Sequence, residues 1–258
     1  MEIKKYNFGI LGCGHIAQAF CIALNGLQMP IKAVASRELE KAELFKKEYR
    51  AEKAYGSYLE MLEDKNVEIV YIATPHGLHY EHLKLCIAHH KNIICEKAFT
   101  LNEKQAKEIL DLAKKEKVLV MEAMWTRFLP AIKYLKDFCQ NKIIKSVSAS
   151  FGFLGSLEAE SRLLNKRLGG GAILDIGIYP ITIANILLGK PQQILCKAKL
   201  SQTGVDIEDK IDFLYGNNIK AHICCSFLRT LSNKTTITFS DNKKIIIPLF
   251  WKANKVGK

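Results

Sequence analysis

Three side chains of this 258-residue chain, Lys97, Asp175 and Tyr179, are of types that can support proton and hydride transfer. Hydride transfer to or from a carbinol carbon requires a proton relay at that carbon, and a tyrosine whose pKa is lowered by a nearby lysine can supply it. If their segment is helical, Asp175 and Tyr179 share a face because they are four residues apart. These three residues are the catalytic candidates of the chain.

Each candidate also has a purely structural interpretation. Lys97 follows a buried strand-like segment together with Glu96, and such a pair usually lies at a solvated strand end. Asp175 can cap a helix and Tyr179 can pack in a core, and taken by themselves the residues favour this interpretation. Pro180 further predicts that the helix begins later or is kinked, because a helix interior rejects proline.

A glycine-rich turn near the amino end predicts a phosphate-binding site. The run GCGHIA, which begins at Gly12, matches G-x-G-x-x-A between a strand-like and a helix-like segment. Gly12 permits the tight turn, Gly14 lets the backbone approach a pyrophosphate, and Ala17 allows the helix to pack closely on the sheet. The helix start at His15 and Ile16 offers N–H groups to the phosphates. The alternative is a glycine turn without a ligand.

The end of the second predicted strand indicates which dinucleotide binds. NAD-preferring sites usually place Asp or Glu here for the ribose 2′-hydroxyl. This chain has Ser36 and Arg37, and the arginine can pair with a 2′-phosphate and stack on adenine. Glu38 is expected to point away. We therefore predict NADP in preference to NAD, with a surface role for Arg37 as the alternative.

The order of elements predicts two domains. Over the first 122 residues, β-rich runs at 6–11, 31–36, 67–73, 92–95 and 118–121 alternate with helical patterns. Such alternation forms right-handed βαβ units and a parallel sheet. After residue 123, a helix at 130–138 and an apolar helix ending at Leu188 are accompanied by six strand-like runs, two of them followed by Asn- or Asp-containing hairpin turns.

The predicted fold class is therefore α/β. We expect an NADP-binding, doubly wound Rossmann domain with a parallel sheet over residues 1–122. We expect a substrate-binding and dimerisation domain of the α+β type over residues 123–258, built on a large, mostly antiparallel open sheet.

Composition excludes several classes of protein. With 48% hydrophobic and 25% charged residues, the chain is neither disordered nor of low complexity. No apolar run approaches membrane-spanning length, so no membrane association is expected. The net charge of +12 is spread over dispersed lysines without a nucleic-acid motif, so no nucleic-acid partner is expected. Eight cysteines without a CxxC pair or a signal peptide indicate reduced thiols in the cytoplasm.

The chain resembles the Gfo/Idh/MocA oxidoreductase family in its ordered motifs GILGCGHIA, ASR, IATPHGLHYEH, EKA, EAMWTRFLP and GGGAILDIGIYPI. Within that family, EAMWTRFLP and DIGIY are most similar to the branch of dimeric dihydrodiol dehydrogenases and NADP-dependent D-xylose dehydrogenases. The resemblance covers essentially the whole chain. It implies hydride transfer between NADP and a hydroxyl or carbonyl carbon of a sugar or cyclic diol.

The resemblance also implies roles for individual residues. The family's Glu-Lys lysine falls on Lys97, the acid/base role falls on Tyr179, and Asp175 orients the substrate. Substrate contacts are expected for His76, Trp125, Phe153, Asp175 and Tyr179. Cofactor contacts beyond those already named are expected for Thr74, Pro75, His79, Glu96, Lys97, Trp125 and Arg127. The proline that follows Glu-Lys in the family is Ala98 here.

Four further expectations concern assembly and alternatives. Members of the family commonly run some tens of residues further, so we expect an incomplete second sheet whose open edge favours association. We expect a homodimer formed through that sheet. We expect no metal site, because His76, His79 and His82 lack a cluster that completes a ligand set. A non-catalytic dinucleotide-binding regulator on the same fold is the alternative function.

Overall fold

The chain forms two compact units, Met1–Ala123 and Met124–Lys258. The computed structural model describes residues 4–253, so the outermost residues of both predicted domains, 1–3 and 254–258, lie outside the described part. Each unit is built around its own sheet.

The first unit is a doubly wound parallel sheet, and this part of the fold prediction is confirmed. Its strands are β1 (Phe8–Leu11), β2 (Ile31–Ala35), β3 (Lys53–Tyr55), β4 (Ile69–Ile72), β5 (Asn92–Cys95) and β6 (Val120–Glu122). Its helices are α1 (His15–Gly26), α2 (Leu39–Tyr49), α3 (Tyr58–Glu63), α4 (His76–Ala88) and α5 (Glu103–Lys115). Among the described residues, the strand order is β3-β2-β1-β4-β5-β6, with every neighbouring pair parallel. The order reverses between β1 and β4, where such sheets bind ligands.

The sheet of the first unit is buried on both faces. On one face α1 contributes Ala17, Cys21 and Leu24 to an apolar cluster, and on the other α4 and α5 contribute Leu83 and Ile109. Burial on both faces explains why these strands are continuous apolar runs. This packing fixes the turns that follow β1, β2, β4 and β5 along the carboxyl edge of the sheet.

The second unit is a mixed sheet with helices on one face. Its strands are β7 (Ile144–Gly152), β8 (Gln193–Leu200), β9 (Asp206–Leu214), β10 (Lys220–Ser226), β11 (Lys234–Phe239) and β12 (Lys244–Pro248). A helix α6 (Pro130–Cys139) and a helix α7 (Ile178–Leu188) pack on it. The described strands are ordered β12-β11-β7-β10-β9-β8, and within them only β7 and β10 pair in parallel. The predicted large, mostly antiparallel open sheet is confirmed.

Differences from the sequence prediction are mostly at element ends. The three-residue strand β3 was not predicted, because it is too short to show a period of two. The run predicted at 67–73 is a strand only over Ile69–Ile72, and β9 begins at Asp206 rather than Lys210. The start of β9 was not predicted because Glu208, Asp209 and Lys210 are three consecutive charged residues that break the alternation of a half-buried strand.

The apolar helix of the second unit widens at its start. Ile173–Gly177 forms a π turn in which the Ile178 N–H bonds to the Ile173 carbonyl, and α7 follows directly. The α-helix therefore begins only at Ile178, after Asp175, and the expectation of a later start is confirmed. Pro180 is the third residue of α7. The missing N–H of the proline thus falls in the first turn of the helix, where the preceding π turn already interrupts the ladder of four-residue hydrogen bonds.

Among residues 4–253, one helical segment, Lys166–Leu188, is by length and composition able to cross a membrane. The expectation that no such segment exists was too strict. Of the most apolar stretch of this segment, 56% is buried inside the fold, as in the core helix of a globular protein.

All eight cysteines lie within residues 4–253, and all are free thiols. Cys224 and Cys225 are neighbours in β10, where adjacent side chains point to opposite faces, so they do not form a bridge.

Candidate functional site

The turn between β1 and α1 has the geometry of a phosphate cradle. Gly12 has φ of +100°, and a Cβ there would lie 3.1 Å from the Thr74 side chain and 3.2 Å from the Ala73 carbonyl oxygen. Gly14 is exposed and precedes α1 without a side-chain cap. His15 is exposed, Ile16 is half-buried and Ala17 is fully buried against the sheet. The first N–H groups of α1 therefore have no side-chain cap, and they lie next to a turn whose tight backbone favours glycine.

Two cations flank the end of β2. Arg37 is exposed, and the pKa of His82 is lowered to about 4 by burial of the ring, by His79 and by the Arg37 charge. Burial raises the pKa of the Cys13 thiol to about 11, against the opposing charge of Lys41. Ser36 is buried, and its hydroxyl accepts a hydrogen bond from the Glu38 N–H at 3.3 Å. Lys41 was not among the residues identified from the sequence, because an exposed lysine on a helix carries no local signal.

The turn after β4 is held by histidines. His79 is fully buried, with Nε2 2.8 Å from the Thr74 carbonyl oxygen and Nδ1 2.8 Å from the Ala98 carbonyl oxygen. His82 Nδ1 lies 2.9 Å from Thr74 Oγ1, and the buried His76 ring meets the edge of the His79 ring. Pro75 is half-buried at the start of α4.

His79 was expected to contact the cofactor, but both of its ring nitrogens face main-chain carbonyls. Burial lowers the pKa of His79, and a neutral ring can donate to only one of its two carbonyl partners. The imidazole therefore joins the turn after β4 to the turn after β5 and leaves no ring nitrogen for a nucleotide.

The turn after β5 carries Glu96 and Lys97. Glu96 is buried, accepts a short hydrogen bond from Tyr71 Oη, and accepts another from the Lys97 N–H at 3.2 Å. Burial raises the pKa of Glu96, against the hydrogen bond from Tyr71 and the charge of Lys97. Phe20 of α1 stacks on Tyr71 at 3.7 Å between ring centroids. The main chain at Lys97, which joins Ala98 through a cis peptide bond, is thus tied to β4 and α1.

In the second unit, Asp175 lies in the π turn and Tyr179 lies in the first turn of α7. Asp175 is 9% exposed and pairs with Arg162, whose Nη2 is 3.3 Å from Oδ2. Tyr179 is 4% exposed. Arg162 was not predicted from the sequence, because it lies in an irregular loop 13 residues before its partner.

An aromatic group surrounds Tyr179. The Trp125 ring lies 5.9 Å from the Tyr179 ring, and Phe151 lies 5.7 Å from it. Phe151 stacks on Trp251 at 3.7 Å and touches Phe153 at 6.5 Å. The Trp125 indole N–H donates to the Trp251 carbonyl oxygen at 2.7 Å. Trp125 thus lies beside Tyr179, and Phe153 is connected to it through Phe151. Phe151 and Trp251 were not identified from the sequence.

Arg127, an expected cofactor contact, is exposed in a 3₁₀ turn, Trp125–Phe128, that leads into α6. Within residues 4–253, no group of three His, Cys, Asp or Glu side chains is arranged to hold a metal ion. A cavity of about 710 Å³ between α6 and the β11–β12 turn, lined by Tyr134, Phe138 and Phe239 among others, contains none of the predicted site residues.

Two family models match the chain. The model described as an oxidoreductase family with an NAD-binding Rossmann fold matches residues 6–124, and the GFO/IDH/MocA C-terminal domain matches residues 143–243.

Curated relatives match nearly the whole chain. A trans-1,2-dihydrobenzene-1,2-diol dehydrogenase of Xenopus laevis is 34% identical in an alignment of 259 positions that covers 96% of this chain and 77% of the relative. The Homo sapiens protein of that name is 32% identical over 237 residues, which cover 90% and 71%.

Solved structures share the fold. A 3-ketoreductase from Actinomadura kijaniata in complex with TDP-benzene and NADP has a TM-score of 0.89 at 23% identity, covering 96% of this chain and 78% of that one. A levoglucosan dehydrogenase in complex with NADH and levoglucosan has a TM-score of 0.83 at 21% identity, covering 95% and 74%.

Proposed function

The chain belongs to the Gfo/Idh/MocA family of oxidoreductases, and on that premise we propose which cofactor, substrate and catalytic groups it uses as an NAD(P)-dependent dehydrogenase. The cofactor is NADP. The substrate is a cyclic trans-diol or a sugar, oxidised at a hydroxyl carbon or reduced at the matching carbonyl carbon.

The pair of cations at the end of β2 carries the assignment of NADP. Arg37 stands where an NAD site would have an acid for the ribose 2′-hydroxyl, and Lys41 adds a second positive charge near the same turn. A guanidinium can bind a 2′-phosphate with two parallel hydrogen bonds. A pyrophosphate site at Gly12 is supported by the tight space there, where a Cβ would crowd Ala73 and Thr74, and by the start of α1, which has no side-chain cap.

The chemical step divides among three residues of the chain. When bound, the nicotinamide supplies the hydride acceptor or donor. Lys97 donates a hydrogen bond to the substrate oxygen and favours its developing negative charge. Tyr179 gives or takes the proton at that oxygen. Asp175, fixed by Arg162, accepts a hydrogen bond from a neighbouring substrate hydroxyl and so orients the ring.

A cyclic diol suits the aromatic group around Tyr179. Trp125, Phe151 and Phe153 present flat apolar surface beside the phenol, and one face of a dihydrodiol ring is apolar while its edge carries the hydroxyls. The curated relatives are named for such a diol, which supports this class ahead of open or highly polar sugars.

Steady-state absorbance at the nicotinamide band tests the proposal. The chain is assayed with NADP and with NAD against a panel of cyclic trans-diols and aldoses. We expect turnover of at least one cyclic trans-diol and a kcat/KM for NADP at least about tenfold above that for NAD, as one charge-assisted interaction provides. A higher kcat/KM with NAD, or binding of both nucleotides without turnover of any compound, contradicts it.

A homodimer formed through the sheet of the second unit is part of the proposal. All eight residues of β8 are exposed, including Ile194, Leu195 and Leu200, and an exposed edge strand is a template for association. Sedimentation equilibrium of the wild-type chain should give twice the chain mass, and Leu195→Lys should give one chain mass. A monomeric wild type at all concentrations contradicts the dimer.

Eight free thiols support a reducing, cytoplasmic location.

A further inference from the structure

Beneath the π turn that carries Asp175, two carboxyl groups face each other. Asp206 begins β9, and its Oδ2 accepts a hydrogen bond from the Ile173 N–H at 2.6 Å. Asp209 lies three residues later in β9 and is fully buried in an apolar cluster with Ile207 and Cys225. Its carboxyl interacts with that of Asp206, and Asp206 in turn holds the start of the π turn through the Ile173 N–H.

The two carboxyls need a shared proton. Asp209 Oδ2 accepts from the Cys225 thiol at 3.3 Å, whereas the buried Oδ1 has no donor among the described residues when both carboxyls are ionised. A proton on one member of the pair turns the contact between them into a hydrogen bond. Without that proton, burial of the unpaired Asp209 Oδ1 would cost the free energy of its lost hydration.

The turn is built closely around this pair. Gly171 has φ of +122°, and a Cβ there would lie 2.4 Å from Asp206 Oδ1. A Cβ at Gly177, the other end of the turn, would lie 2.9 Å from Cys225 Sγ. The backbone on both sides of Asp175 therefore rests directly on Asp206 and Cys225, and a change in either is transmitted to the turn.

We propose that Asp206 and Asp209, sharing one proton, form a positioning pair that holds the turn bearing Asp175 and the helix start bearing Tyr179, and that loss of the proton slows turnover without weakening nucleotide binding. The catalytic part of this inference rests on the proposed function. The structural part, a proton-dependent anchor of the Ile173 amide, does not.

The charge environment supports a proton held near neutral pH. Burial, the interaction with Asp206 and, to a smaller extent, the Glu208 charge raise the pKa of Asp209 to about 7, against the hydrogen bond from the Cys225 thiol. Cys224 of β10 and Cys196 of β8 also interact with Asp209. When the proton leaves, two carboxylates repel each other beside an apolar cluster. Because Asp206 accepts the hydrogen bond from the Ile173 N–H, this repulsion acts on the anchor of the π turn.

Two substitutions at Asp209 distinguish the effect of the shared proton from the effect of the side chain itself. Asp209→Asn supplies an amide N–H to Asp206 at every pH, whereas Asp209→Ala removes the contact. Asp212→Asn, a half-exposed carboxylate on the same strand paired with His222, is the matched control. For each protein we would measure kcat and KM from about pH 5.5 to about pH 8.5, either side of a pKa near 7. NADP affinity would be measured by titration.

We expect the wild-type kcat to decline as pH rises through about 7 and the Asp209→Asn profile to lack that decline while matching the wild-type kcat at low pH within about twofold. Asp209→Ala should lower kcat on the order of tenfold, with NADP affinity unchanged, because a small misplacement of a catalytic group is costly. Asp212→Asn should follow the wild type. Identical profiles for wild type and Asp209→Asn, or an unchanged kcat in Asp209→Ala, would overturn the positioning pair.

Hydrogen exchange at the Ile173 amide keeps the test independent of the assay. The amide should exchange faster in Asp209→Ala at all pH values and in the wild type only above about pH 7, after correction for intrinsic exchange, and it should stay protected in Asp209→Asn. Equal protection in all three proteins overturns the anchor. If the wild type reduces no nucleotide with any compound, the proposed function fails while this measurement still decides the pair.

Discussion

The guanidinium of Arg162 lies 3.3 Å from the carboxylate of Asp175, at the rim of the π turn that leads into Tyr179. Arg162 is half exposed and Asp175 is nearly buried, so the pair fixes a carboxylate whose position would otherwise be set by the turn alone. The interaction adds little to stability, because its cation remains in water. The main effect of the ion pair is to fix the orientation of the Asp175 carboxylate.

Arg162→Ala should therefore affect the substrate more than the fold. We expect kcat/KM for the diol to fall about tenfold, the value of one hydrogen bond to a charged group, with a midpoint of thermal unfolding close to that of the wild type. Arg167→Ala, an exposed arginine in the same loop, is the control and should leave kcat/KM unchanged. An equal effect of the two substitutions would remove Arg162 from the site.

Replacement of Arg37 tests the choice of cofactor. Arg37→Ala should weaken NADP binding about 10- to 100-fold and NAD binding by less than about threefold, because only NADP carries the 2′-phosphate. Fluorescence titration with both reduced nucleotides measures this. Lys47→Ala, which removes an exposed cation from the last turn of α2, should change neither affinity. Parallel losses of NAD and NADP affinity in Arg37→Ala would mean that the residue does not read the phosphate.

A methyl group at Gly12 should disable the phosphate cradle. Gly12→Ala forces a positive φ on a residue with a Cβ and places that atom against Ala73 and Thr74. We expect a loss of about 1–2 kcal/mol in the free energy of unfolding and NADP binding weakened by at least about tenfold. Gly26→Ala, where a Cβ meets open space at the end of α1, should be neutral or slightly stabilising. Denaturant unfolding and nucleotide titration compare the two.

The half-buried His82 should make the fold sensitive to acid. Its pKa is lowered to about 4 by burial, by His79 and by Arg37, so the folded chain keeps this ring neutral while the unfolded chain protonates it below about 6.5. Unfolding then takes up a proton, and the free energy of unfolding falls as pH drops from about 6.5 to about 4. His82→Gln should flatten this part of the curve. An unchanged slope in urea unfolding across that range would show that another group is responsible.

Local sequence patterns predicted the first unit well, because each of its functional turns follows a buried strand and is short. Gly12, Gly14 and Arg37 lie where their position after the strands predicted. The contacts of His79 could not be predicted in the same way, because its two carbonyl partners belong to residues 5 and 19 positions away in sequence.

The second unit was less predictable because its contacts are longer in sequence. Trp251 reaches Trp125 across 126 residues, and no period or motif marks such a pair. Asp209 was hidden for another reason. It occupies an inward position of β9 where the alternation calls for an apolar residue, and only the neighbouring Asp206 and Cys225 explain a carboxyl there.

The most direct test of the account follows the hydride. Reduced NADP carrying deuterium at the reactive nicotinamide carbon is mixed with the enzyme and the carbonyl form of a cyclic diol, and the product is analysed after one turnover. The account predicts one deuterium at the new carbinol carbon, with transfer slowed at least about 100-fold in Lys97→Ala and in Tyr179→Phe while both variants still bind NADP. Product without deuterium, or transfer at the wild-type rate in both variants, would contradict it.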